Sequence, residues 1–264
     1  MILLCMSCLC GIIPPFIHKL YITLLTIPPF HSWYKWVDKY SLDREVVHVA
    51  YHFHHIHLTH VLQVRGWDFT ELQVHLISVT SLLIAIKVRY PQMYELVNEE
   101  SIASTLVREL CSNFTDVPGL LRLEKEMTET SLVGHLHKVT TMHQFALLFC
   151  KLHPVMDARP SLFDYLFSVA RIQVENALTD PDLMSRYDPS LIAFAALVRQ
   201  LDVESVVYER FIREVCPLIG FSEAEVFEAI SDLQNCVHHL PRSEEFEAIL
   251  AALNRPESPT GVDG

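Results

Sequence analysis

Six histidines stand within thirteen residues, at positions 48, 52, 54, 55, 57 and 60. Imidazole is both the commonest metal ligand and the side chain that titrates nearest neutral pH, so metal binding or proton transfer is the first chemistry to weigh. On a helix, His48, His52 and His55 fall at i, i+4 and i+7 and share one face. An i, i+4 pair of this kind can hold zinc or nickel. The stretch contains no H-E-x-x-H, however, and no acid close by to serve as a base. Val46, Val49, Ala50, Phe53 and Ile56 make an apolar stripe on the other side. The pattern therefore predicts a packed helix with a solvated histidine face and no metal centre. His57 and His60 are expected nearer the packed side, as neutral, hydrogen-bonded rings.

Other reactive groups are sparse. Cys5 and Cys8 form a lone C-x-x-C in an apolar segment, too little for a zinc or redox site. There is no G-x-G-x-x-G, phosphate loop or G-x-S-x-G, so neither nucleotide binding nor a nucleophilic catalytic residue is expected. Ser258-Pro259 is a minimal proline-directed phosphorylation site. The R-x-x-L of Arg159 and Leu162 opens a predicted helix and reads as structural.

The elements that must position these residues read as helical from residue 30 onward. A short helix is predicted over 33–40. A second follows, capped by Asp43 and running to about residue 58. Thr70 and Gln73 have the spacing of a capping box, with Phe69 and Val74 placed as a hydrophobic staple. The helix they open carries the stripe Leu72, Leu76, Val79, Leu83, Ile86, one buried face at helical period. Further helices are predicted over 99–111, 117–133 and 142–152. Another is marked by Phe163, Phe167, Ala170, Val174 and Ala177. Pro189 suits a first helical position, and residues 191–201 read as a short, almost wholly apolar helix. One helix is then expected over 203–219. A last one is opened by the Ser222–Glu225 capping box and carries Val226, Ile230, Leu233, Val237 and Leu240. The central helix is the most apolar in each half, a weak repeat of fold rather than of sequence.

Composition agrees with helices. The 264 residues include only seven glycines, half are apolar, and period-two alternation is never sustained. A net charge of −12 without a basic cluster makes nucleic acid an unlikely ligand. Seven cysteines in irregular spacing suggest reduced thiols. Residues 1–29 are apolar but are interrupted by Gly11, Pro14 and Pro15, short of a spanning helix. Membrane contact is not expected there, and the segment reads as a poorly structured extension or a misassigned start. Residues 254–264 read as a disordered tail.

The run Tyr40-Ser-Leu-Asp-Arg-Glu-Val-Val-His-Val-Ala50 resembles the second helix of a cyclin box, with its pattern Y-x-L-x-x-E-T-x-x-x-A. Glu71-Leu-Gln-Val74 and Val79-Thr-Ser-Leu-Leu-Ile-Ala-Ile-Lys87 are similar to the L-Q-L and T-x-L-L-I-A-x-K of the third. Leu120-Leu-Arg-Leu-Glu124 is similar to I-x-x-M-E, and Asp188-Pro-Ser-Leu-Ile-Ala-Phe-Ala-Ala-Leu197 to the P-S-x-I-A-x-A-A-L of the second cyclin fold. The resemblance spans 33–240. It implies an all-α protein of two tandem five-helix cyclin folds, over 30–137 and 138–253, the first with a degenerate first helix. It also implies a non-enzymatic regulatory subunit of a cyclin-dependent protein kinase, acting in the cell cycle, in nucleus and cytoplasm, without a cofactor. Lys87 and Glu124 match the lysine and glutamate by which the family grips its kinase, with Glu126 an alternative to Glu124. A donor-only lysine and an acceptor-only carboxylate suit the exposed end of a partner helix.

The chain also departs from that pattern. Residues 26–30 stand where the family keeps an arginine and a hydrophobic docking patch. His55-Ile56 replaces the Asp-Arg whose aspartate pairs with that arginine. Losing both partners leaves no unpaired charge, whereas losing one buried partner would cost roughly 3–5 kcal/mol. Residues 135–141 replace the usual boundary between the folds. A cyclin-fold scaffold that no longer activates a kinase, or a transcription-factor-like tandem cyclin fold, are the alternative readings.

Overall fold

The computed structural model describes residues 30–65, 70–91, 99–112, 114–136, 139–152, 160–201 and 206–236. Among these the regular structure is entirely helical, and the chain divides into two compact units between Thr141 and Met142.

Unit one contains α1 (Phe30–Lys39), α2 (Glu45–Arg65), α3 (Glu71–Arg89), α4 (Glu99–Leu110) and α5 (Val117–Glu129). Helix α2 starts where Asp43 Oδ1 accepts the Glu45 N–H at 2.9 Å, and it runs two turns past its predicted end. The capping box of α3 is present: Thr70 Oγ1 accepts from the Gln73 N–H at 3.3 Å, and Gln73 Oε1 from the Thr70 N–H at 2.8 Å. Phe69 lies outside the described residues.

Helix α3 is the centre of the unit, packed along α2 and against α4 and α5. The single apolar stripe predicted for it is not what the structure contains. Leu72 is 51% exposed and Leu76 half-buried, whereas every residue from Ile77 to Ile86 is buried. A helix walled in on all sides buries its polar positions too, so they must be satisfied internally. Ser78, Thr80 and Ser81 donate to the carbonyls of Val74, Leu76 and Ile77 at 2.7–2.8 Å. By length and composition α3 would pass for a membrane span, but 61% of that window is buried, as in a core helix.

Unit two contains α6 (Met142–Leu152), α7 (Pro160–Leu178), α8 (Pro181–Arg186), α9 (Pro189–Val198), the composite helix α10 (Val206–Arg210, Phe211–Val215 and Cys216–Ile219) and α11 (Glu223–Cys236). Helix α9 is buried from Leu191 to Val198 and packs against α6, α7 and α11. Phe194 meets Phe149 edge-on at 5.4 Å, and Phe211 and Phe221 at 6.1 and 6.2 Å. The Ser222–Glu225 capping box is formed. Val226, Ala229 and Leu233 are the buried side of α11, while Val237 and Leu240 lie outside the described residues.

Two local features differ from expectation. Helix α8 is too short to leave a periodic trace; its first turn is held by Asp180 Oδ1, which accepts from the Asp182 and Leu183 N–H groups. The helix predicted over 203–219 is α10, in which Val206–Arg210 and Cys216–Ile219 flank a π-helical turn, Phe211–Val215. Pro217 supplies the cause. It has no N–H to return to the carbonyl four residues back and would clash with it, and a wider turn relieves both problems. Gly220, at φ +80°, closes α10 in the left-handed conformation that favours glycine.

Candidate functional site

Lys87 lies in the last turn of α3, where the helix dipole favours a cation. Glu124 lies on α5 between Leu120 and Met127, both fully buried, at spacings of four and three. A carboxylate in that stripe must face the core side of α5, and it does. Lys87 Nζ donates to Glu124 Oε2 at 2.6 Å, and the side chains are only 20% and 13% exposed. The structure thus brings the two predicted site residues together. It is Glu124, not Glu126, that meets the lysine.

The same end of α3 carries more polar structure than the motif suggested. Arg89 forms an ion pair with Glu45, the first residue of α2. Because α2 and α3 run antiparallel, the glutamate sits at a positive helix end and the arginine at a negative one. The other oxygen of Glu45 accepts from Thr141 Oγ1 at 2.7 Å. Tyr90 Oη accepts the Asp43 N–H at 2.7 Å. The trace of Glu45 and Arg89 in the sequence was only their position at facing helix ends.

The histidine helix corrects the sequence reading. His48 is buried, with Nε2 3.3 Å from Tyr34 Oη, and His52 and His55 are half-buried. There is no solvated histidine face, because α2 packs against α1 as well as α3. Val46, Val49, Ala50 and Phe53 are buried as predicted, and Ile56 is half-buried. His57 is buried, its Nδ1 2.7 Å from Ser131 Oγ, whereas His60 is half-buried like His52 and His55. His54, for which no role was predicted, is fully buried with neither ring nitrogen hydrogen-bonded among the described residues.

Burial disfavours the imidazolium at His52, His54 and His55. It pushes the pKa of His54 down to about 3, helped by His55 and His57, and those of His52 and His55 to about 4, helped by His135 and His52 respectively. Among the described residues, no three His, Cys, Asp or Glu side chains are grouped so as to hold a metal ion.

The joint between α1 and α2 is held near the surface. Arg44 grips Asp38 with two hydrogen bonds, at 2.8 and 2.6 Å, and lies 5.6 Å from the centre of the Tyr34 ring. The guanidinium holds the Asp38 carboxyl below its ordinary pKa. Lys39 and Tyr40 both donate to Glu109 of α4, at 2.7 and 2.9 Å. Residues 26–29, Cys5, Cys8, Arg159 and Ser258, and the side chains of Phe30 and Leu162, lie outside the described residues.

No model of a known protein family matches the chain, and no curated protein matches it.

Proposed function

We propose that this chain is a cyclin-like regulatory subunit, built of two tandem five-helix cyclin folds, that binds and activates a cyclin-dependent protein kinase. It would work in the control of the cell cycle, in nucleus and cytoplasm, and would catalyse no reaction itself. The observation that supports this most is the meeting of Lys87 and Glu124. They come from different helices, 37 residues apart, and form one half-buried ion pair at the end of the most buried helix of unit one. The order of five helices around a central apolar one adds to it.

Opened toward a partner's helix end, such a pair would supply donors from an ammonium and acceptors from a carboxylate. Holding a kinase's αC helix inward would place its glutamate against the phosphate-binding lysine, a condition for phosphoryl transfer.

The test is the purified chain against a panel of cyclin-dependent kinases, read by binding and by phosphotransfer to a peptide. Binding with stimulation is expected for at least one kinase. Lys87→Ala with Glu124→Ala should weaken binding about tenfold or more, a difference near 1.4 kcal/mol. Unchanged binding in the double variant would remove this face from the reading. Binding without stimulation selects the scaffold.

A further inference from the structure

Helix α2 buries histidines where a globular core ordinarily places aliphatic residues. His54 is the extreme case, 0% exposed and with both ring nitrogens unpartnered among the described residues. A neutral imidazole tolerates such a place at the cost of one unsatisfied N–H; an imidazolium there would be an uncompensated buried charge.

The described surroundings of His54 hold no counter-ion bonded to it. From α3 the stretch between Ser78 and Ile86 contributes hydroxyls and aliphatics; its ionisable groups are Glu71, His75, Lys87 and Arg89 toward the ends. His75 is bonded to the Leu110 carbonyl, Lys87 to Glu124 and Arg89 to Glu45. From α1, Tyr34 meets His48, while Lys35, Asp38 and Lys39 are exposed. From the turn after α5, Ser131 meets His57 and His135 acts on His52. Among the described residues, no carboxylate is hydrogen-bonded to His54 or figures among the groups that act on it.

We propose that α2 is an acid switch: protonation of His54, together with His52 and His55, drives α2 off α3 and opens unit one while unit two stays folded. The direction follows from linkage. These rings take up a proton near pH 6.5 in the unfolded chain but resist it in the folded one, where their pKa values are about 3 to 4. Their contribution to stability is complete above pH 6.5 and drains away as the pH falls from there toward 4. Unit two is built the other way. His143, its one described histidine, has Nε2 3.6 Å from Glu175 Oε1, so a proton there finds a carboxylate beside it.

The chain carries its own reporter, since all three tryptophans (33, 36 and 67) precede the division at Thr141. Tryptophan emission of the full chain is followed from pH 7.5 to 3, with pulsed hydrogen exchange on peptides from α3 and α9. Unit one is expected to open between about pH 6 and 4.5, before α9 loses protection. His54→Leu should lower that midpoint by about half a pH unit or more, and His60→Gln should leave it unmoved. If His54→Leu does not fold, the double variant His52→Gln with His55→Gln reads the same shift from half-buried positions. The proposal is overturned if both units open together below pH 4, or if the midpoint ignores these substitutions.

Discussion

Lys87 Nζ stands 2.6 Å from Glu124 Oε2, joining the last turn of α3 to the middle of α5. Both side chains are mostly shielded from water, and each helps to compensate the other's charge.

Removing one partner is therefore expected to cost more than removing both. Lys87→Met alone should destabilise unit one by about 1–3 kcal/mol, because Glu124 is left among Leu120 and Met127. The double variant Lys87→Met with Glu124→Leu should lose less than the sum of the two singles. Chemical denaturation of the four proteins measures that coupling, and strict additivity would show that the pair is not coupled.

Position along α3 should matter more than hydrophobicity. Leu72→Ser, at a 51% exposed site, is expected to change stability by no more than about 0.5 kcal/mol. Leu83→Ala, at a fully buried one, should cost about 2–5 kcal/mol. Thr70→Ala removes the cap and should fall between them, near 1 kcal/mol. Thermal melts of the three variants give the ranking directly.

Phe194 should be the most sensitive aromatic in unit two. Its ring touches three other phenylalanines and is wholly buried, so Phe194→Ala should cost about 3–5 kcal/mol. Hydrogen exchange should show the loss in α6, α9 and α10; an effect confined to unit one would contradict the packing.

Three thiols should be inert in the native protein. Burial pushes Cys111 and Cys216 up to about 11 and Cys150 up to about 12, so almost no thiolate exists at pH 8. Iodoacetamide at pH 8, with the sites resolved by mass spectrometry, should leave these three unmodified until denaturant is added. Rapid native labelling of Cys150 would show that α6 opens readily.

Local signals were legible in the sequence, and long-range ones were not. The Thr70–Gln73 and Ser222–Glu225 boxes depend on groups three residues apart, so their residue types announce them. The two central helices were visible because an uninterrupted apolar run has nowhere to lie but inside. The histidines of α2 misled because a polar type was equated with an exposed face. Their burial depends on α1 and on partners such as Tyr34, 14 residues away, and Ser131, 74 away. Glu124 was partly legible, as a carboxylate interrupting an apolar stripe. That Lys87 answers it, and that Arg89 answers Glu45, depends on helix ends meeting across the fold.

The grip of Glu45 on Thr141 has a mechanical consequence. Thr141 is the last residue of unit one, and its hydroxyl is fastened to the glutamate that begins α2 and clasps the end of α3. Tension applied to the chain beyond residue 141 is delivered to that three-way fastening first, where α2 starts and α3 stops. Unit one would then be loaded first at that corner, through the Thr141 hydroxyl, rather than along the length of its central helix.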